Sequence, residues 1–200
     1  MGSVPDHRAP RARPAPEVRA DILTAARELF RQRGYQSVTL TDVGAAVGLT
    51  RGAVLYHYHS KAEVLTALVA PFIADLDEML DDFESAPRRP LPSEVLARLL
   101  DVLLSTRAAD LLLRDISVRH ALALEAWATT QSGRLIDLLV ADGAADGTTR
   151  IRSMAALGAV ARPLVSLPDP LPELHRDAIL AAATNLRPPR RRAASRAVAS

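Results

Sequence analysis

The 200-residue sequence has no cysteine, a single lysine at position 61, and no apolar run approaching the roughly 20 residues that a membrane-spanning helix needs. Without cysteine there is no disulfide framework, no thiol nucleophile and no thiolate metal centre. The opening stretch MGSVPDHRAPRARPAPEVR carries no apolar core of a secretion signal, so a cytoplasmic protein with no membrane partner is expected. A phosphate-cradling glycine loop is also missing, and no nucleophile–base set emerges, which argues against an enzyme and against a bound cofactor. What is present is charge. It amounts to 24% of the residues, with 25 Lys+Arg against 23 Asp+Glu and a formal net charge of only +2. The isoelectric point is nevertheless about 9.5, because 24 of the basic residues are arginines that stay protonated.

Placed along the chain, the charge is not balanced. Residues 1–61 hold nine Arg/Lys and five Asp/Glu, residues 62–186 eleven and eighteen, and residues 187–200 five and none. A basic beginning and a basic end flank an acidic middle. Residues 1–16 combine four prolines with three arginines and lack apolar periodicity; with residues 187–200 they read as disordered basic tails. Such tails either keep the chain soluble or act as arms on DNA phosphates or in a minor groove.

Between the tails the spacing is helical throughout, and no segment alternates with period two over a useful length. The expected fold is all-α. From Val18, the residues Ile22, Ala25, Ala26, Leu29 and Phe30 form one apolar stripe, which Gly34 ends. After Lys61 a long three-four repeat runs from Val64 to Phe83, interrupted by Pro71, where a kink or break is expected. Further helices are predicted over residues 93–106, 108–116, 118–140, 149–167 and 171–186, with Ser93, Ser117 and Thr148 as caps and Pro163 ending or kinking the fourth. The organisation is then an amino-terminal domain over 17–62 and a helical domain over 63–186.

The chemistry concentrates in Thr39 to Lys61, TLTDVGAAVGLTRGAVLYHYHSK. A helix-turn-helix needs a short helix, a turn and a second helix crossing closely, hence small residues at the contact and a glycine in the turn. Thr39 caps the first helix, Val43 and Val47 face inward, Gly44 permits close approach, Gly48 takes the turn and Leu49 fills the corner. Thr50 caps the second helix, leaving Arg51, Gly52 and Ala53 in the first turn, the part that meets base edges in a major groove. His57 and His59 lack a third ligand at convincing spacing, so no metal is expected. Tyr35 and Tyr58 read as packing residues.

The segment ILTAARELFRQRGYQSVTLTDVGAAVGLTRGAVLYHYHSKAEVLTALV, over about residues 22 to 69, resembles the amino-terminal domain of the TetR family of bacterial transcriptional regulators. The likeness runs through Phe30, Arg33-Gly34-Tyr35, Thr39, the Val43 to Leu49 turn and Ser60-Lys61. It implies that Arg51 and Gly52 read bases, that Thr50 lies near phosphate, and that Thr41, His57 and Lys61 contact the DNA backbone. Where the family usually has a tyrosine this chain has Leu55, so that backbone contact is absent or falls to Tyr56. Gly44 replaces the more usual alanine, at a cost in helix propensity of about 1 kcal/mol.

Beyond residue 70 the resemblance is one of organisation. It implies a ligand-binding and dimerisation domain whose last two long helices form a four-helix bundle with a second copy, giving a homodimer on a pseudo-palindromic double-stranded DNA operator. Local chemistry agrees, since Met154, Ala155, Leu157, Gly158, Ala159 and Ala161 offer a small-residue face and Leu171 to Leu186 a second apolar stripe. Met79, Phe83, His120 and Trp127 are candidates to line an effector cavity, with Arg114 and Glu125 as polar anchors. The implied function is a ligand-released repressor. Control by a partner protein, or activation, is the alternative, and an enzyme in the helical domain a remote one.

Overall fold

In the computed structural model, residues 13–106, 108–140, 146–168 and 170–186 are described. Among these the chain is helical and holds no strand. Eleven helices follow in order: α1 (Ala15–Arg33), α2 (Leu40–Ala46), α3 (Arg51–His57), α4 (Lys61–Ser85), α5 (Pro92–Ser105), α6 (Ala109–Arg114), α7 (Ile116–Ala121), α8 (Glu125–Leu139), α9 (Gly147–Ser166), α10 (Leu171–Leu174) and α11 (Arg176–Asn185). Two compact units result, one ending at Leu68 and the next beginning at Val69, so the division falls inside α4 and not at its start.

In the first unit, α1 buries Val18, Ile22, Ala26 and Phe30 at four-residue spacing, with Ala25 and Leu29 half-buried beside them. Helix α1 begins earlier than its apolar pattern, because Pro16 lies in the first turn, where a missing N–H costs nothing. Arg13 to Pro16 are therefore structured, and Arg13 pairs with Asp21 at 2.7 Å. The remainder of the expected amino-terminal tail, and all of the tail over 187–200, lie outside the described residues. Phe30 and Tyr35 meet edge to face at 5.2 Å, and Val38, Val43, Val54 and Tyr58 complete a core that is at most 6% exposed with them. Each such side chain contributes about 1.5–3 kcal/mol by burial.

In the second unit α5 is the central helix, burying Val95, Leu96, Leu99, Leu100, Val102 and Leu103 and packing on α8, α9 and α11. Several boundaries differ from the sequence reading, each for a local reason. Helix α4 runs unbroken through Pro71, and α9 through Pro163. The expected Ser93 cap is replaced by Glu94, whose carboxylate accepts the Leu91 N–H at 2.7 Å ahead of Pro92. Asp115, not Ser117, caps α7, and Asp146, not Thr148, caps α9, each carboxylate accepting a backbone N–H. Aspartate offers two acceptor oxygens on a short stem, which suits the position.

The single helix expected over 118–140 is two. The Ala123 N–H bonds to the His120 carbonyl and the Leu124 N–H to the Arg119 carbonyl, the paired bonds of a Schellman stop, with Ala123 at φ 52°. An alanine in the position that glycine normally fills left no mark in the sequence. The last predicted helix likewise divides at His175 into α10 and α11.

Candidate functional site

Two places in the chain are built for contact: the α2–α3 pair in the first unit and a cavity in the second. Helix α2 starts on a reciprocal cap. The Thr39 hydroxyl accepts the Asp42 N–H at 3.2 Å, while the Asp42 carboxylate accepts the Thr39 N–H at 2.7 Å and the Thr39 hydroxyl at 2.5 Å. These bonds hold the Asp42 carboxyl below its ordinary range, the Thr39 hydroxyl contributing most. The Thr39 side chain is thus engaged within the helix start.

The turn then forces α3 across α2. A Cβ on Gly44 would stand 2.6 Å from the Leu49 carbonyl oxygen and 3.2 Å from Val54, so the absence of a side chain sets the crossing distance. The close approach expected at Gly44 is thus a packing requirement that outweighs its lost helix propensity. Gly48 carries the chain around the corner at φ 69°. The Thr50 side chain accepts the Ala53 N–H at 3.1 Å, and only Val54 of α3 is fully buried.

The rest of α3 faces outward. Arg51 and Gly52 are exposed and Ala53 half-buried, and Arg51 makes no ion pair among the described residues. Gly52 differs from Gly44 in a telling way: an added Cβ would meet nothing nearer than 3.9 Å, so the fold does not ask for glycine there. Tyr56 is 81% exposed, and the half-buried His57 ring stands edge-on to it at 5.2 Å. Thr41 is exposed on α2 and Leu55 half-buried.

Cations brace this face from behind. Arg19 donates to the His57 carbonyl and lies 4.2 Å over the ring of Tyr58, whose burial pushes its phenol above the ordinary tyrosine range. Arg13 reaches the Val47 carbonyl at 3.5 Å. Lys61, expected on the DNA backbone, has internal partners. Its ammonium donates to the carbonyls of Tyr35 (2.9 Å), Gln36 (3.3 Å) and Val38 (2.9 Å) and lies 4.3 Å from the Tyr35 ring centre. All three protons are engaged on the loop before α2, so the side chain works as an internal brace.

The second unit encloses a cavity of about 820 Å³ with mainly apolar walls. Trp127 and Glu125, both expected to line it, do so. The other four do not. Met79 is 1% exposed in the core, and Phe83 borders a separate space of about 390 Å³. Arg114 donates to the Leu164 carbonyl at 3.3 Å, and the exposed His120 pairs with Glu125 at 3.2 Å. Trp127 is fixed by its indole N–H, which donates to Asp77 at 3.0 Å, and by an edge-on contact with Phe72 at 6.4 Å. Sequence reasoning missed Arg119, Gln131 and Arg150 on the same walls.

Residues 22–68 match the family described as bacterial regulatory proteins, tetR family. The regulator TtgR of Pseudomonas putida is 44% identical over 55 residues, which cover 28% of this chain and 26% of that one. The regulator AcrR of Shigella flexneri is 29% identical over 105 residues, covering 51% and 49%. The chain thus spans about a quarter of TtgR and half of AcrR. Among solved structures, NalD, the secondary repressor of the MexAB-OprM multidrug efflux pump in Pseudomonas aeruginosa, superposes with a TM-score of 0.56 at 22% identity, covering 86% of this chain and 95% of that one. That likeness is one of fold.

Proposed function

We propose, for a chain whose residues 22–68 belong to the bacterial tetR family of regulatory proteins, that it is a sequence-specific DNA-binding transcriptional regulator acting as a homodimeric, ligand-released repressor. The observation that carries the reading is the outward face of α3. Arg51 stands in its first turn with no ion pair among the described residues, beside a glycine whose missing side chain the fold does not require. A helix that gives up propensity at an exposed position gains only if something must approach its backbone closely, as a major-groove edge does. Arg51 paired bidentately with a guanine discriminates by about 1–3 kcal/mol. Tyr56 supplies the backbone hydroxyl that Leu55 lacks, and Thr41, Thr50 and His57 are further contacts.

Dimerisation is supported by the faces that α9 and α11 leave uncovered. Ile151 is 67% and Met154 55% exposed, in line with Ala155 and Gly158, and Ala178, Ala181 and Ala182 are exposed on α11. Small residues there allow two further helices to approach and complete a four-helix bundle. A two-fold dimer reads two half-sites about 34–36 Å apart, or a multiple of that. The apolar cavity, separate from the DNA-reading face in sequence and unit, supports a small-molecule effector that shifts the population away from the DNA-binding form.

The test is operator selection from random DNA with the full-length protein, followed by Arg51→Ala on the enriched sequence. Enrichment of a palindrome, with Arg51→Ala weakening it and relaxing one base position, is expected. Failure to enrich a two-fold sequence overturns the reading.

A further inference from the structure

The second unit is acidic, with eighteen Asp/Glu against eleven Arg/Lys over residues 62–186, and several of its arginines pair with carboxylates. Arg134 clamps Asp81 at 2.6 Å and Glu84 at 2.7 Å, Arg176 takes Asp101 at 2.8 Å, and Arg88 takes Glu94 at 2.8 Å. Arg89 and Arg114 donate to backbone carbonyls instead, as does Arg119, which lines the cavity. Half-buried on α7, it donates to the Leu112 carbonyl and meets no carboxylate among the described residues. A guanidinium held at an apolar wall by a single carbonyl keeps most of its five donors and its whole charge for something else.

We propose that the cavity takes an amphipathic organic carboxylate with a ring-bearing apolar body, its anionic end held by Arg119. The assignment rests on reading this cavity as the effector site. The body is matched by the crossed rings of Phe72 and Trp127 and by Leu76, Leu99, Leu112 and Leu135 on the walls. Two further apolar side chains on the lining, Leu113 and Ile116, are 40% and 69% exposed and gain cover from such an occupant. Two other charged side chains share the lining, one of each sign. The Glu125 carboxylate is 51% exposed to solvent with the His120 ring 3.2 Å away, and Arg150, 3.7 Å from Asp137, is a second cation on the lining. The volume accommodates a drug-sized ligand.

Trp127 is the only tryptophan, so energy transfer from it reports occupancy directly. Full-length protein is titrated at pH 7 with 1-pyrenebutyrate, 1-pyrenebutanol and 1-pyrenebutylammonium, which share one body and differ in charge. The butyrate binds about tenfold or more tighter than the butanol, and the ammonium weakest. Arg119→Gln brings the butyrate to the level of the butanol and leaves the butanol unchanged, while Arg119→Lys retains part of the preference. Equal affinities in the wild type, a preference for the ammonium, or no transfer from Trp127 with any of the three overturns the proposal. So does a folded Arg119→Gln that keeps the preference. Should that variant fail to fold, the wild-type ranking alone decides. Release of the selected operator by the butyrate is measured separately: binding without release refutes the effector reading and leaves the anion assignment standing.

Discussion

The two units differ in how far ion pairs help their cations join one segment to another. In the first, where bases outnumber acids, the side chains that join one segment to another end on backbone carbonyls: Arg19 on His57, Arg13 on Val47 and Lys61 on Tyr35, Gln36 and Val38. In the second, where acids are in excess, ion pairs share the task, Arg134 joining α8 to α4 and Arg176 joining α11 to α5, while Arg89 and Arg114 end on carbonyls. A carbonyl accepts without neutralising. Arg19 and Lys61 in the first unit therefore keep a positive charge that strengthens attraction for a polyanion, whereas the ion-paired braces of the second unit are offset by their carboxylates. Local charge balance thus decides which side chains remain open to a partner: Arg51 in one unit, Arg119 in the other.

The comparison is broken most directly at Lys61. If its ammonium is a brace, Lys61→Met leaves three carbonyls without their donor and destabilises the DNA-free protein by about 2 kcal/mol, read as a fall in melting temperature. The salt dependence of operator binding by the folded fraction then stays as in the wild type. A variant that melts normally but loses about one unit of salt slope would return Lys61 to the phosphate backbone.

Arg51→Ala tests the other half of the same unit. Because the side chain is exposed and holds nothing in place, the melting temperature should not move, while operator affinity falls by about 1–3 kcal/mol. An equal loss across unrelated sequences would make Arg51 a phosphate contact and not a base reader.

These two residues also mark how far the sequence could be read. The caps at Thr39 and Thr50, the turn at Gly48 and the outward position of Arg51 follow from short-range rules and were legible. The direction of Lys61 was not, because its partners lie more than twenty residues earlier in the chain. In the second unit the all-α class and the apolar stripes were visible, but the cavity lining was not. Of the six candidates only Glu125 and Trp127 reach it, since a wall assembled from α4 to α9 depends on crossing angles that no local pattern encodes. The break after α7 was hidden too, because its signal is an alanine and not a glycine.

That break supplies a smaller test of the same contrast. Both units turn through a positive φ, with Gly48 in one and Ala123 in the other. The left-handed conformation costs alanine about 1–2 kcal/mol, part of which glycine returns through the greater freedom of its unfolded chain. Ala123→Gly should therefore raise stability by about 0.5 kcal/mol, measured by denaturant midpoint at constant slope. A loss of stability would mean that the Ala123 methyl packs usefully despite its exposure.

The smallest effect separates carbonyl braces from carboxylate braces by pH. Hydrogen bonding from Arg134 holds the Glu84 carboxyl below its ordinary 4.5. A carboxyl depressed on folding contributes stability that is fully present above its unfolded pKa and is lost as the pH falls through the folded value. The Glu84 side chain is 45% exposed and solvent-screened, so the pair contributes about 0.5 kcal/mol. The melting temperature of the wild type minus that of Arg134→Met should accordingly be flat above pH 5 and shrink below 4.5. The same difference for Lys61→Met should stay constant across that window, because carbonyls do not titrate; a parallel fall in both would show that the two units are braced alike.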